Sequence, residues 1–293
     1  MKIAIGLPAF NEEKNIGKII AKLLEKSYSV IVCNDGSSDS TGLIAEKMGA
    51  VTINHKRNLG YGASIQSLFN KAKEENVDIL VTFDSDGQHS IDDIEKVLKP
   101  ILDDSADLVI GSRFLDKTIE KIPKYRKIGI KAITKLSSVG SNQNIQDSQS
   151  GFRGYNKTSL EKISPSDNGM GVSTEILIKA NHSKLRIKEV PINISYEGNT
   201  STHNPASHGA SVILSTMKFI SLEHPLKFYG IPGIILLTIG LFFIVWTLQE
   251  FSLSRKIITN IALIAIGTSV LGMVFMMTSI ILYSMVSLVR ERN

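Results

Sequence analysis

The sequence predicts an α/β domain on a mostly parallel sheet, followed by an amphipathic helix and two membrane-spanning helices. First, short apolar runs rich in β-branched residues alternate with segments of helical apolar spacing. That alternation fits strand–helix–strand units with right-handed crossovers. Second, most apolar runs end in polar, flexible loops that would line one sheet edge, where open α/β sheets bind ligands. Third, charges are dense as far as Lys227 and then nearly vanish: residues 228–249 and 257–289 carry none. Each stretch exceeds the roughly 20 apolar residues that cross a bilayer, an asymmetry hidden by a mean hydropathy of +0.08.

In chain order, residues 2–7 form a short apolar strand broken by Pro8. Residues 12–26 follow with helical spacing (Ile16, Ile19, Ile20, Leu23, Leu24). The second strand, 29–33, exits through Asn34-Asp35-Gly36-Ser37-Ser38-Asp39 into a helix ending near 48. A third, 51–54, leads through Arg57-Asn58-Leu59-Gly60-Tyr61-Gly62 into a helix to about 75. The fourth, in 77–89, carries Ile79, Val81 and Thr82 and ends in Asp84-Ser85-Asp86-Gly87, with Gln88 and His89 beyond. The fifth, 108–110, runs into Gly111-Ser112-Arg113-Phe114. A helix is expected near 174–180, and 207–223 has amphipathic spacing (Val212, Ile213, Thr216, Phe219, Ile220) suited either to a bilayer surface or to packing on the domain. The expected boundaries are therefore 1–205, 206–226 and 227–293.

Net charge +5 and pI about 9.1 could serve nucleic acid. Beside membrane spans they indicate instead anionic headgroups and phosphorylated ligands. A lone Cys33 excludes an internal disulfide and fits a reducing compartment. The N-terminal residues are too polar for a signal segment. Lys218, Lys227, Arg290 and Arg292 flank one side of the spans, against Arg255 and Lys256 in the hairpin, so both termini and the first domain are expected in the cytoplasm. The two spans also offer a surface for homo-oligomer formation.

Asp84 and Asp86, one residue apart at a strand's end, form a hard-oxygen pair suited to Mg²⁺ or Mn²⁺ carrying a diphosphate. A plain Asp-Gly turn is the alternative. No metal-finger spacing, Walker loop, nucleophile elbow or dinucleotide fingerprint is present.

Pro8-Ala9-Phe10-Asn11-Glu12 resembles P-x-[YF]-N-E, residues 34–39 resemble [DN]-D-G-S-x-D, and residues 84–89 resemble D-x-D-G-Q-H. Gly111-Ser112-Arg113-Phe114 and Ser150-Gly151-Phe152-Arg153 match G-S-R-[YF] and S-G-F-R. Together, in order, they are similar to family 2 glycosyltransferases of the GT-A fold, in the dolichyl-phosphate (polyprenyl-phosphate) mannose and glucose synthase branch. The resemblance implies nucleotide binding by Pro8, Phe10, Glu12, Asp35, Arg57 and Asp84, with amides near Gly62 also facing phosphate. Arg57 as a solvated surface residue is the alternative. It implies a metal on Asp84, Asp86 and Gln88, with His89 either a ligand or a packing residue. Asp86, Asp147 and Arg113 become catalytic candidates, and Glu175 a further one unless it and Asp147 merely brace loops.

The implied acceptor is polyprenyl or dolichyl phosphate, whose ionised oxygen needs no strong base. Cations must instead unite two phosphorylated molecules, and Arg113, Arg126 and Arg153 are the candidates. Basic residues interleaved with isoleucines over 117–135 suit a membrane interface as well as an ordinary surface helix. Residues 190–196 resemble the branch's closing V-P-I strand. The next loop, 197–205, departs from the basic pattern of mannose-transferring relatives and favours a UDP-sugar over GDP-mannose. The expected activity is inverting, metal-dependent sugar transfer to the lipid phosphate. The alternatives are another lipid or glycan acceptor, and a non-catalytic nucleotide-sugar-binding membrane partner.

Overall fold

The computed structural model describes residues 1–115, 145–193, 217, 221 and 224–291, in two compact units, Met1–Thr216 and Met217–Asn293. The first contains a seven-stranded sheet. Its strands are β1 (Ile3–Ala9), β2 (Ser29–Asn34), β3 (Val51–Asn54), β4 (Ile79–Thr82), β5 (Leu108–Ser112), β6 (Arg153–Asn156) and β7 (Ile187–Pro191), in the order β3-β2-β1-β4-β6-β5-β7. The helices are α1 (Ile16–Glu25), α2 (Thr41–Lys47), α3 (Tyr61–Glu74), α4 (Asp93–Leu102), α5 (Lys157–Lys162) and α6 (Val172–His182).

Alternation along each strand sends side chains into two cores. Ile5, Leu7 and Val81 pack against Ile16, Ile20 and Leu23 of α1 and Ile94 and Val97 of α4. Ala4, Ile31, Leu80 and Leu108 pack against Leu68 and Phe69 of α3 and Ile176 and Leu177 of α6. Covering both faces leaves the strand ends as the place where polar groups collect.

The sheet departs from the simple alternation at β6. This strand lies between β4 and β5 and runs antiparallel to both. Its sequence, Arg-Gly-Tyr-Asn, has no β-branched residue and reads as a loop. It forms because Gly154 lets α4 close on it: a Cβ there would lie 2.8 Å from Val97 Cγ1. Pro8 does not end β1, which continues to Ala9 beside β2. Pairing with β4 stops at Gly6, so Pro8 has a partner strand on one side only. The closing strand is β7, starting before Val190; residues 194–196 lie outside the described residues.

In the second unit a π-helical turn (Leu226–Gly230) enters α7 (Ile231–Ser254), and Arg255, at φ 53°, caps the turn before α8 (Thr259–Glu291). Within Leu226–Ser254 and Thr259–Ser287 the most apolar 18-residue stretches have mean hydropathies of 2.4 and 2.1, with only 11% of each stretch buried. They are long and apolar enough to cross a membrane and too exposed to be core helices of this unit. The helices touch at glycines: a Cβ on Gly272 would lie 2.8 Å from the Leu237 backbone nitrogen. The basic segment 117–135, with Arg126, is outside the described residues, as is nearly all of 207–223.

Candidate functional site

The loop after β4, Asp84 to His89, is tied to its surroundings before any ligand is considered. Ser85 Oγ donates to the Pro8 carbonyl at 2.7 Å, and Thr82 Oγ1 to the Gly151 carbonyl at 2.7 Å. Gly151 is needed for closure, since a Cβ would lie 2.7 Å from Asp84 Oδ1 and against the Tyr61 hydroxyl. Asp84 Oδ2 is 3.3 Å from His89 Nε2, and Oδ1 accepts a long 3.5 Å bond from Tyr61. Burial pushes the Asp84 pKa up. The His89 hydrogen bond and charge, the Arg113 charge and the Tyr61 bond outweigh that and hold it below its ordinary value. Asp86 Oδ1 accepts from the Gln88 amide at 2.9 Å, yet its pKa is raised, first by burial and then by Asp84. A divalent cation would relieve both causes.

Among the described residues no three His, Cys, Asp or Glu side chains converge on one point. The two carboxylates therefore fit an ion completed by phosphate and water, not an all-protein cage. His89 packs against Phe83 and Phe152, with ring centroids 5.8 and 5.3 Å away, and its buried Nδ1 has no partner. It orients Asp84.

Across the edge, β5 delivers Arg113. Its Nε and Nη2 grip Asp147 Oδ2 and Oδ1 at 2.7 Å each, and its amide adds a 3.0 Å bond to Oδ2. Asp147 is fully buried, while the Arg113 side chain keeps 15% exposure. The Asp147 and Gln146 amides in turn donate to Glu189 of β7, each at 2.9 Å. Burial, followed by the Asp147 charge, holds the Glu189 pKa up against those amide bonds. Asp147 thus aims Arg113 and is itself sealed from solvent.

At the other half of the edge, the β1 and β2 exit loops are laced together. The Asn11 amide donates to Ser37 Oγ, the Ser38 amide to Asn11 Oδ1 and the Glu12 amide to Thr41 Oγ1. Burial raises the Glu12 pKa against an Asn15 hydrogen bond, and the nearby Asp86 charge adds to the rise. Phe10 is exposed and Arg57 lies on an exposed loop. Asp35 is buried and accepts from His55 Nδ1 and from the Leu59 and Gly60 amides. That loop passes Gly36, φ 68°, in backbone contact: a Cβ would lie 2.6 Å from the Asn58 nitrogen.

Three expectations change. The Gly62 and Ala63 amides do not face open space; both donate to the Asn168 carbonyl, at 2.9 and 3.3 Å, so the start of α3 is already capped. Arg153 does not reach toward an acceptor. It is 1% exposed, and Nε, Nη1 and Nη2 donate to the carbonyls of Ser150, Ser173 and Ser148. It organises the segment that carries Gly151. Glu175 braces a loop, accepting from the Ser166 and Asp167 amides and pairing with Lys179 at 2.6 Å. Tyr61, His55 and Glu189, which sequence reasoning did not single out, owe their places to contacts 20 or more residues away. Only the Glu-Val-Pro run around Glu189 offered a local cue.

The model of a family described as glycosyl transferase family 2 matches residues 4–164. Among curated relatives, a UDP-N-acetylglucosamine–dolichyl-phosphate N-acetylglucosaminyltransferase of Methanococcus voltae is 33% identical, covering 74% of this chain and 92% of the relative. A dolichyl-phosphate hexose transferase of Haloferax volcanii is 30% identical, covering 77% and 96%. A crystal structure of glucosyl-3-phosphoglycerate synthase from Mycobacterium tuberculosis, with Mn²⁺ and UDP-glucose, superposes with a TM-score of 0.58 at 21% identity. It covers 75% of this chain and 78% of that one and shares the GT-A fold.

Proposed function

Because the chain belongs to glycosyl transferase family 2, we propose that it transfers a sugar, with inversion, from a UDP-sugar to polyprenyl or dolichyl phosphate. The observation that carries this reading is the convergence at one edge of Asp84 and Asp86 with Arg113. One side suits a cation-bound diphosphate, the other an anionic acceptor. The relatives named for dolichyl phosphate, one of them for a UDP-sugar, support the acceptor and the donor.

Asp84 and Asp86, with Gln88 beside them, would hold a divalent ion, Mg²⁺ or Mn²⁺, which would supply charge stabilisation for the departing diphosphate. Pro8, Phe10, Glu12 and Asp35 form the nucleotide wall, and Arg57 reaches the phosphates. Arg113 draws in the acceptor phosphate, helped by Arg126, and sets an ionised oxygen in line with the anomeric carbon. No base is required, in keeping with an Asp147 that is buried and charge-paired. The domain boundaries are 1–205, 206–226 and 227–293. The spans anchor the enzyme with the catalytic domain and both termini on the cytoplasmic side.

The test incubates purified protein with polyprenyl phosphate, Mg²⁺ or Mn²⁺ and a panel of UDP- and GDP-sugars, then extracts lipid. A UDP-sugar should yield glycolipid, and Asp86→Ala should cut the rate about 10²–10³-fold. No glycolipid from any donor sinks the reading; a product unaffected by Asp86→Ala sinks the metal role.

A further inference from the structure

A carboxylate offers about four acceptor positions. Asp35, just beyond β2, has three of them filled. Oδ1 takes the Leu59 amide at 2.9 Å and His55 Nδ1 at 2.6 Å; Oδ2 takes the Gly60 amide at 2.9 Å. The Nδ1 of His55 must carry the proton, because a carboxylate can only accept. Its Nε2, 2.9 Å from Ser67 Oγ on α3, is held by a group that can donate to it. These contacts, with Cys33 Sγ 3.6 Å from the same Nε2, fix the tautomer and ring, which is 10% exposed. Among the described residues, what remains of Asp35 for a ligand is one position on Oδ2.

The surroundings suit a flat ring. The Asp35 amide donates to the Ala9 carbonyl. Phe10, the next residue, and Leu59, which donates to Asp35, are 39% and 42% exposed. Uracil presents one ring N–H between two carbonyls. Guanine presents two adjacent donors, which pair with both oxygens of a carboxylate.

Resting on the reading of a nucleotide-sugar transferase, we propose that His55 sets nucleobase specificity. It fills the Oδ1 position of Asp35 and leaves a single acceptor that fits uracil and not guanine. Rejection follows because guanine's second donor would be desolvated without a partner.

Calorimetric titration of the full chain in detergent micelles with UDP and with GDP, in Mg²⁺ without acceptor, tests this. UDP should bind about 10–100-fold more tightly than GDP. His55→Leu removes the donor and should reduce that ratio at least about fivefold. His55→Asn keeps an N–H near the Nδ1 position and should retain it. Ser67→Ala, which loosens His55 but leaves the Asp35 contact, should also retain it, so a purely structural role for His55 would not give this pattern. Equal binding of UDP and GDP to the unaltered protein overturns the proposal while leaving the transferase reading intact. A preserved ratio in His55→Leu does the same. If His55→Leu does not fold, a folded His55→Asn that has lost discrimination overturns it. Binding of neither nucleotide overturns both readings.

Discussion

The exit loops of β1, β2 and β3 are held mainly by backbone amides donating to side-chain oxygens of Ser37, Asn11, Thr41 and Asp35. Across β4, β6 and β5 the same edge is held by guanidinium groups, Arg113 on Asp147 and Arg153 on three carbonyls, and a third, Arg186 on Asp107, ties β5 to β7 at the other end of the sheet. The difference teaches that one edge is built in two ways. In the proposed reading, the loop lattice built from amides leaves its outer surface to match a base and ribose. The buried Arg113–Asp147 pair holds a cation close enough to Asp84 to lower its pKa, at the cost of a strict dependence on each partner.

The largest test of that contrast is Asp147→Ala. It removes the bidentate carboxylate partner of a mostly buried Arg113 and should lower unfolding stability by about 3 kcal/mol, the lower end for a broken buried pair because some exposure remains. Chemical denaturation measures it, and a loss under 1 kcal/mol would mean the charge-built half does not depend on its pairs. Next comes Asp35→Asn on the other half. One amide must lose its acceptor, and about 1–2 kcal/mol should go, with weaker donor binding and an unchanged apparent KM for the lipid phosphate. A shifted lipid KM would break the division of labour.

The smallest effect concerns acid. The Arg186 hydrogen bonds, outweighing burial and joined by the Arg186 amide and Asn156, lower the Asp107 pKa from 3.8 to about 2. A carboxyl with a depressed folded pKa stabilises above its unfolded value and loses that contribution as pH falls through the folded one. The stability difference between the unaltered protein and Asp107→Asn should therefore be constant above about pH 5 and shrink between about pH 4 and 2. A constant difference through that window would place the Arg186 contact outside the charge network.

Much of this was legible from local sequence. The β-branched runs and polar exits located β1 to β5, and Asp84, Asp86, Arg113 and Asp35 all sit at strand ends, where motif and period agree. The glycines of the exit loops were readable as turns. That Gly151 makes room for Asp84 was not, because the two are 67 positions apart and meet only across the sheet. Strand β6 was illegible for a related reason: Arg153 and Tyr155 are both buried there, and no propensity scale expects an arginine to fill a core unless three carbonyls already wait for it.

Composition and periodicity alone determined the α/β class and the two apolar helices, and five short motifs in order carried the family resemblance, since each signal depends on neighbours within a few residues. The tertiary structure decided which charged groups are spent inside the protein and which keep some exposure. Arg113 and Arg153 read alike in sequence, one closing G-S-R-[YF] and the other S-G-F-R. Burial separates them: a guanidinium with 15% side-chain exposure can share its charge with a ligand, whereas one at 1% has spent its donors on the backbone.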